Sequence, residues 1–572
     1  MAIVVPPALA VAGSIVLVAP DAIVELDHAV TISGTLTSSA GCTPDRALFL
    51  EWRPADSSAF ATVGQGTTAA DGTFAFEQVQ QYTGRYRVTA TADGACDLVV
   101  SDTALVRVRA RVDSTLLAGS LEAGSCVDVD AAVMPPKPGQ SVELQRRAGG
   151  GWTTLETLTL DADSHASARP CFGWEDVGIV RLRVRWPAQD RVNEAALGPT
   201  LPFQIELASW MRRIEDLVAG RSMSISVGEA NTFLYGRAPA APRTPASNEK
   251  LLLSMALLDT FGPDRRIRTF AASRAPAQDG VIEGNLWILG RGDPEVDRAA
   301  IADLAASIVA AGITRVDGHV TGSTTYFRRD WDAPGWNHVA RDYIARPTAL
   351  AYDGNLDAHG RDVPSPETLA AKSLTAELEA RGVKVVERPN AGAPPDDLVR
   401  IASTRSRRLD AILAKMLRPS NNFFAEVLGK GLGVADSGTP GTIAKGAAAL
   451  EAWVDRTTDV DLSDCSGLSY ANRVTAEGIV RLLWLADAAP WYQDLFDALP
   501  SGGQGTLRHR FADVDLRAKT GTLTDISALS GWVWLERTET WAEFSILSSG
   551  MAKTTASDLE DRIVRIIQNQ AR

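Results

Sequence analysis

The sequence predicts a multidomain protein in which two all-β sandwiches precede an α+β domain that carries an inserted α/β subdomain. Short runs that alternate apolar and polar residues recur about every ten residues from residue 14 to residue 206, as in sandwich strands. From Leu207 onward, apolar residues recur at three- and four-residue steps, which indicates amphipathic helices. A chain of 572 residues is also too long for one hydrophobic core.

The β-rich region contains an internal repeat. Residues 141–146 echo the strand pattern around Leu48, and residues 178–184 echo the pattern that begins at Gly84. This repeat predicts two tandem immunoglobulin-like modules, at 14–111 and 112–206. We find no catalytic set of residues in this region, so we expect the modules to be spacers or binding modules.

Four cysteines lie in the β-rich region, with Cys42 and Cys96 in the first module and Cys126 and Cys171 in the second. Four cysteines allow three pairings, and the simplest one closes a disulfide within each module. Disulfides would place the protein outside the cytoplasm, as a secreted, periplasmic or cell-wall-associated protein. Four reduced, buried thiols are the alternative.

The first residues of the chain have two interpretations. Residues 2–20 carry no charge, as in the apolar part of a signal peptide, but no basic residues precede them. Residues 1–13 are therefore either the remnant of a signal or a disordered N-terminus. Two consecutive prolines, Pro6 and Pro7, argue against a membrane anchor.

Overall composition excludes several classes of function. The net charge of −13, without a basic patch, argues against a nucleic-acid partner. Hydrophobic content of 45% and charged content of 22% are ordinary for a globular protein. The six histidines lack metal-binding spacing, and no phosphate-binding glycine motif is present. We therefore expect no metal and no organic cofactor.

The C-terminal region is predicted to form one domain from residues 207–275 and 405–572. Strand patterns lie near both ends of this domain, and helical patterns lie between them, which indicates an antiparallel sheet around a helical region. Residues 276–404 alternate strand and helix patterns. These residues are expected to form the inserted subdomain.

A helix that begins near residue 247 combines a serine and a lysine. A proline precedes it, and a Gly-Pro pair ends it after residue 261. Ser247 and Lys250 are three residues apart, so they share one face of the helix. The run 251–258 is apolar almost all round and predicts a buried helix, which would desolvate Lys250 and lower its pKa. Such a lysine can take the proton of a serine nucleophile.

Two further motifs follow along the chain. Ser420-Asn421-Asn422 supplies Ser-x-Asn, and Lys519-Thr520-Gly521 supplies Lys-Thr-Gly. Together with Ser-x-x-Lys, they form the set used by penicillin-interacting serine acyl enzymes. Only nine of the 572 residues are lysines, so two lysines at motif positions are not expected by chance. Asn421 and its neighbours also suit a helix N-cap.

The segments around these motifs resemble the D-Ala-D-Ala carboxypeptidase/endopeptidase family of low-molecular-mass, class C penicillin-binding proteins. Matching pieces run from residue 208 to residue 570 and include 284–294, 464–469 and 505–507. The resemblance implies a penicillin-binding, serine β-lactamase-like transpeptidase fold. It also implies peptidoglycan stem peptides as substrates and acylation by β-lactam antibiotics.

Chemistry and the resemblance together give each motif residue an expected role. Ser247 is the nucleophile that attacks the penultimate D-alanine carbonyl, and Lys250 accepts its proton. Ser420 relays a proton to the leaving amine, and Asn422 holds the peptide amide.

The Lys-Thr-Gly strand is expected to complete the site. Lys519 is a second cation that lowers the pKa of Lys250. Thr520, with Gly521 beside it, takes part in binding the terminal carboxylate. The backbone N–H groups of Ser247 and Thr522 form the oxyanion hole.

Two departures from the family are visible. Relatives usually have glycine where this chain has Cys465, which is expected to be a small buried thiol without a role. The interval between Ser247 and Ser420 also looks short, as if one inserted part were missing after residues 351–353.

Two other hypotheses remain. One is a β-lactamase or esterase that uses the same motifs, although no glutamate is clearly placed to activate a deacylating water. The other is a non-catalytic protein that binds the cell wall through its β-sandwich modules. Because the three motifs are intact, we expect a catalytic protein.

Overall fold

The computed structural model describes residues 13–39, 41–94 and 96–571. The interpretation of residues 1–13 therefore lies outside the described part, apart from Gly13. The chain divides into two compact units, an N-terminal unit (Met1–Leu207) and a C-terminal unit (Ala208–Arg572). In the described part of the chain, none of the helices has the length and apolar character needed to cross a bilayer.

The first half of the N-terminal unit is built of short strands. They are β1 Ser14–Val18, β2 Val24–Glu25, β3 Ala29–Thr37, β4 Ala47–Pro54, β5 Ala61–Thr67, β6 Thr73–Val79, β7 Gly84–Ala90, β8 Val99–Val100, β9 Ala104–Val106 and β10 Val108–Arg109. One sheet has the order β1-β3-β6, and another has the order β5-β4-β7-β8, with β9 also on β7. Strand β2 pairs in parallel with β10.

Both sheets contribute to one hydrophobic core. Ile32 and Leu36 of β3 belong to the same buried cluster as Leu50 of β4 and Val88 of β7. The alternation of buried and less buried residues along β7 explains this, since every second side chain of a strand points to the same face.

The second half of the unit is also β-rich. Its strands are β11 Arg111–Leu116, β12 Ser120–Glu122, β13 Ser125–Cys126, β14 Val129–Met134, β15 Ser141–Ala148, β16 Gly151–Thr159, β17 His165–Ala168, β18 Cys171–Phe172, β19 Gly178–Trp186, β20 Ala196–Leu197 and β21 Leu201–Glu206. One sheet has the order β11-β14-β17, and another the order β12-β21-β19-β15-β16. The expected repeat is visible, because β15 pairs with β19 as β4 pairs with β7.

Each half of the N-terminal unit contains one disulfide. Cys42 is joined to Cys96, and Cys126 on β13 is joined to Cys171 on β18. The simplest of the three possible pairings is therefore the one in the structure.

The C-terminal unit mixes strands and helices. Its strands are β22 Met223–Glu229, β23 Thr232–Arg237, β24 Arg268–Ser273, β25 Val281–Ile282, β26 Leu286–Leu289, β27 Arg315–Val316, β28 Val320–Ser323, β29 Lys384–Val385, β30 Asn390–Gly392, β31 Val399–Arg405, β32 Leu516–Leu523, β33 Ile526–Leu535 and β34 Thr540–Ser549. Its helices are α1 Ser209–Leu217, α2 Glu249–Phe261, α3 Arg298–Ala310, α4 Pro366–Glu379, α5 Leu409–Leu417, α6 Asn422–Ser437, α7 Ile443–Val454, α8 Ala476–Asp487, α9 Tyr492–Ala498 and α10 Lys553–Gln570.

Strands from both ends of this unit form one antiparallel sheet in the order β23-β22-β34-β33-β32. Helix α10 packs on β33, and α8 packs on β34. Helix α2 lies in the hydrophobic core with α5, α6 and α7. All ten residues from Glu249 to Leu258 are buried, as the continuous apolar run predicts.

A second sheet, β30-β28-β26-β24-β31, lies between the first two motifs in sequence. Helices α3 and α4 contribute to its core, together with Ile288 and Val320. The sheet extends beyond the expected boundaries of 276 and 404, because β24 pairs with both β26 and β31.

Candidate active site

Ser247 lies in a tight turn that leads into α2. This turn is the 3₁₀ helix Ala246–Asn248, and Lys250 is the second residue of α2. Ala246 has a φ of 48°, a left-handed conformation that costs energy in a residue with a side chain. Such strain persists only where the surrounding structure holds it, and here it lies directly before Ser247.

Two glycines let other segments approach this turn. A Cβ on Gly521 of β32 would lie 2.5 Å from the Pro245 carbonyl oxygen. A Cβ on Gly467 would lie 2.0 Å from the Ala246 carbonyl oxygen. Both distances are too short for any side chain, so glycine at these positions is a packing requirement of the site.

Lys250 contacts the candidate nucleophile directly. Its Nζ donates to Ser247 Oγ at 2.9 Å, to Asn422 Oδ1 at 2.7 Å, and also to the Ser466 carbonyl oxygen. An ammonium has three N–H donors, so these three acceptors use them all. When the amine is neutral, Asn422 and Ser466 can keep its two N–H groups while its lone pair faces Ser247 Oγ.

The Lys250 side chain is fully buried. Burial lowers the pKa of Lys250 from its ordinary 10.5 to about 8, and the charges of Asp464, Glu249 and Glu426 oppose that shift. This pKa makes the amine available as a base near neutral pH.

The Ser-x-Asn motif lies where α6 begins. Ser420 has a φ of 62°, which is again left-handed. Asn421 is the N-cap, and its side chain accepts a hydrogen bond from the Phe424 N–H at 3.1 Å. Asn422 is the first residue of α6, and its Nδ2 donates to the Tyr343 carbonyl oxygen at 3.0 Å. The motif therefore caps the helix as well as supplying side chains to the site.

Lys519 of β32 reaches the second motif. Its Nζ donates to Ser420 Oγ at 2.9 Å and to the Thr520 carbonyl oxygen at 2.7 Å. Burial, followed by the charges of Lys250 and Lys553, holds the pKa of Lys519 well below its usual value. The sequence predicted that burial and Lys519, as a second cation, would both lower the pKa of Lys250, and burial is the leading cause for both lysines.

The remaining motif residues have separate positions. Thr520 Oγ1 donates to Thr506 Oγ1 at 2.7 Å, so its hydroxyl is fixed inside the structure. Thr522 is exposed and lines a cleft of about 460 Å³. Ser247, Ser420 and Asn422 line the same cleft. Ser247 and Lys519 are 272 residues apart in sequence. The fold thus brings the three motifs together in one site.

Other residues of the cleft were not anticipated from the sequence. Asn337 and Tyr343 come from the segment between the first two motifs, and Tyr470 follows the loop at 464–469. The Tyr470 hydroxyl accepts a hydrogen bond from the Thr524 N–H at 3.1 Å. These residues carry no local motif, so only the fold reveals them.

A cluster of buried carboxyl groups near Lys250 was also missed. Glu249, Glu426 and Asp464 are fully buried. Burial and then the Asp464 charge raise the pKa of Glu426 to about 7, and the same causes raise the pKa of Glu249 well above its usual value. The signal in the sequence was a glutamate inside the apolar run 423–428, where an unpaired charge is costly.

Cys465 is a free, buried thiol, as expected. Burial raises its pKa well above the ordinary value, which disfavours the reactive thiolate. Its Sγ lies 2.4 Å from the position that a Cβ on Gly429 would occupy. The thiol therefore packs closely against α6.

Comparison with known proteins agrees with this geometry. A profile of the D-Ala-D-Ala carboxypeptidase 3 (S13) family matches residues 204–359 and 349–570. The two matched segments overlap at residues 349–359. Together they span more than half of the chain.

Individual relatives cover the same region. The chain is 30% identical over 421 residues to the D-alanyl-D-alanine carboxypeptidase of Actinomadura sp. (strain R39), which covers 58% of this chain and 78% of that protein. It is 30% identical over 385 residues to carboxypeptidase DacB of Mycolicibacterium smegmatis, covering 61% of this chain and 80% of that protein.

A solved structure shows the same fold. Penicillin binding protein 4 (dacB) from Haemophilus influenzae aligns with a TM-score of 0.55 at 18% identity, covering 64% of this chain and 100% of that one. Since the site geometry, the family profile and the fold agree, the chain belongs to the D-Ala-D-Ala carboxypeptidase 3 (S13) family and is a serine-type D-Ala-D-Ala carboxypeptidase.

Proposed function

We propose that this chain cleaves peptidoglycan stem peptides through an acyl-enzyme formed on Ser247, and that β-lactams acylate the same serine. The observation that carries the proposal is the 2.9 Å hydrogen bond between Lys250 Nζ and Ser247 Oγ, with the lysine fully buried. A serine hydroxyl becomes a competent nucleophile when a neighbouring base can take its proton.

Acylation is the first step of the proposed reaction. Ser247 Oγ attacks the carbonyl carbon of the penultimate D-alanine and transfers its proton to neutral Lys250 Nζ. The carbonyl oxygen gains negative charge and binds the backbone N–H groups of Ser247 and Thr522. A single oxyanion-hole donor contributes about 10²–10³-fold in rate in other serine hydrolases.

Departure of the terminal D-alanine is the second step. The C–N bond breaks, and the leaving nitrogen takes a proton from Ser420 Oγ, which is hydrogen-bonded to Lys519. Lys250 then gives the proton that it took from Ser247 to Ser420 Oγ, so that both residues return to their starting protonation states. Water then attacks the ester carbonyl, which releases the shortened peptide and regenerates the Ser247 hydroxyl.

Substrate binding uses the rest of the cleft. Asn422 holds the peptide amide, since its side chain is fixed between Lys250 and the Tyr343 carbonyl. Thr520, with Gly521 beside it, takes part in binding the terminal carboxylate. Whether the leaving amine is a free D-alanine or a cross-linked peptide separates carboxypeptidase from endopeptidase action.

β-Lactams follow from the same chemistry, because their strained amide presents a carbonyl to the nucleophile. The Haemophilus influenzae protein has also been solved complexed with a β-lactam, at a TM-score of 0.52 and 17% identity. We expect a fluorescent penicillin to label the wild type and Ser437→Ala, but not Ser247→Ala. Ser437 lies at the end of α6 and is a matched control. Equal labelling of Ser247→Ala would refute the acyl-enzyme.

The lifetime of the adduct tests the alternative of a β-lactamase. A penicillin adduct that survives for hours supports a peptidase, while rapid loss with hydrolysed drug supports a lactamase. Defined stem peptides and cross-linked dimers, followed by mass spectrometry of the products, separate carboxypeptidase from endopeptidase activity.

The N-terminal unit is proposed to consist of two immunoglobulin-like modules, at 14–111 and 112–206. Its two disulfides and a peptidoglycan substrate support a location outside the cytoplasm. The modules would act as spacers or bind the cell wall or a protein partner. Cell fractionation tests the location, and co-sedimentation of the full chain with purified peptidoglycan tests wall binding.

A further inference from the structure

The Lys250 amine is oriented in part by the loop 464–469, which lies outside the three motifs. Two of its three acceptors, Asn422 Oδ1 and the Ser466 carbonyl oxygen, must be rigid if the lone pair of the neutral amine is to face Ser247. Asn422 is held at the start of α6. What holds Ser466 is therefore important for the base.

The peptide group between Ser466 and Gly467 is fixed by a carboxylate. The Gly467 N–H donates to Asp464 Oδ1 at 3.0 Å, while the carbonyl of the same peptide group faces Lys250 Nζ. Asp464 is itself held by Trp336 Nε1 at 2.7 Å and by the Ser469 N–H at 3.0 Å. The loop is thus anchored on its C-terminal side.

Glu426 of α6 anchors the other side. Its Oε1 accepts from the Cys465 N–H at 2.8 Å and from the Ser466 N–H at 2.7 Å. Its Oε2 is buried and has no hydrogen-bond partner among residues 13–39, 41–94 and 96–571. A carboxylate that is fully buried and has one oxygen without a partner is costly to stability, so we expect it to have a functional role.

We propose that Glu426 is a positioning residue for the general base: it fixes the Ser466 carbonyl that orients the Lys250 amine, and its charge stabilises the protonated form of that amine. This inference rests on the proposed role of Lys250. It extends that role by assigning part of the control of the base to a side chain outside the three motifs.

The electrostatic surroundings are consistent with this assignment. The charged or titratable groups facing Glu426 are Asp464, Glu249, Lys250, Cys465 and, on its own helix, Lys430. With a pKa of about 7, Glu426 is mostly ionised where Lys250, with a pKa of about 8, loses its proton. Its negative charge therefore raises the pKa of Lys250 in that range, against the larger effect of burial.

The test is the pH dependence of acylation by a fluorescent penicillin. Glu426→Gln keeps an oxygen for the two N–H groups but removes the charge. The rising limb of the acylation rate plotted against pH should therefore move to lower pH by about one unit. Between about pH 7 and pH 8, where Glu426 is ionised in the wild type and much of Lys250 is still protonated, this variant should therefore react faster than the wild type. Glu367→Gln, which alters another buried carboxyl group of the same unit, should leave the limb in place.

A second variant separates position from charge. Glu426→Asp keeps the charge but withdraws the oxygen by one methylene, so the rising limb should stay near its original pH while the plateau rate falls about 10- to 100-fold. If Glu426→Gln does not fold, this variant still decides the positioning role. The inference would be overturned if Glu426→Gln left the rising limb in place or moved it to higher pH. It would also be overturned if Glu426→Asp left the plateau rate unchanged. Failure of the wild type to label would instead overturn the acyl-enzyme itself.

Discussion

Lys137 in the N-terminal unit and Lys250 in the C-terminal unit are both buried, and they are held in different ways. In the N-terminal unit, Lys137 is 3% exposed, and its Nζ donates to Asp190 Oδ2 at 2.7 Å and to Asn193 Oδ1 at 2.8 Å. In the C-terminal unit, Lys250 is fully buried, and its Nζ donates to a hydroxyl, an amide and a backbone carbonyl. Within the described residues, Lys250 has no ion-pair partner.

The difference shows how one residue type can serve structure or chemistry. Burial alone would raise the pKa of Asp190, but the hydrogen bonds from Lys137 and Gln140 lower it overall, so the N-terminal pair remains ionic. The three hydrogen-bond acceptors of Lys250 are instead neutral, and burial, which outweighs the charges of Asp464, Glu249 and Glu426, makes its proton easier to remove. A lysine that is paired with a carboxylate serves structure, whereas a buried lysine whose hydrogen-bond acceptors are neutral can exchange a proton.

The largest expected effect is on the rate of acylation and comes from replacing Lys250. Lys250→Met should reduce the rate of penicillin acylation by about 10³-fold, because the base that activates Ser247 is lost. The matched control is Lys137→Met, which should acylate at the wild-type rate. Stopped-flow labelling measures both, and comparable rates for the two variants would remove the distinction between the lysines.

The disulfides provide the next effect, which should be confined to the N-terminal unit. Replacing both Cys126 and Cys171 by serine opens a link across 45 residues of chain. The free energy of unfolding of this unit should fall by about 2–4 kcal/mol, since the unfolded chain gains freedom. Calorimetry measures the change. Penicillin acylation should be unaffected, and a loss of acylation would mean that the site depends on the N-terminal unit.

A smaller effect is expected for stability when the ion-paired lysine is lost. Lys137→Met leaves the partly buried Asp190 without its cation and should lower the free energy of unfolding of the N-terminal unit by about 1–3 kcal/mol. Asn193, which also donates to the Gln81 carbonyl oxygen at 2.8 Å, loses a donor as well. A neutral or stabilising result in chemical denaturation would show that packing outweighs the ion pair here.

The sequence predicted the local part of the active site because that part depends on spacing along one helix. The contact of Ser247 with Lys250 follows from a three-residue separation, and the burial of Lys250 follows from the apolar run 251–258. The order of strands in the antiparallel sheet was not predictable, but its formation from both ends of the C-terminal domain was.

The rest of the site required the three-dimensional structure. Glu426 and Tyr343 are far from Ser247 in sequence and are placed by tertiary packing, which periodicity does not encode. The left-handed backbone of Ala246 and Ser420 also has no signal in residue type, because neither residue is a glycine. Both burial and Lys519 were expected to lower the pKa of Lys250, and the sequence alone could not weigh one against the other; burial is the leading cause.

The most direct test of the account is the pH dependence of the second-order rate of penicillin acylation of the wild-type enzyme. Since neutral Lys250 is the reactive form, the rate should rise with pH through a single limb with its midpoint near the Lys250 pKa of about 8 and then level off. A midpoint near the ordinary lysine value of 10.5, or a rate that does not change with pH, would contradict the assignment of Lys250 as the base.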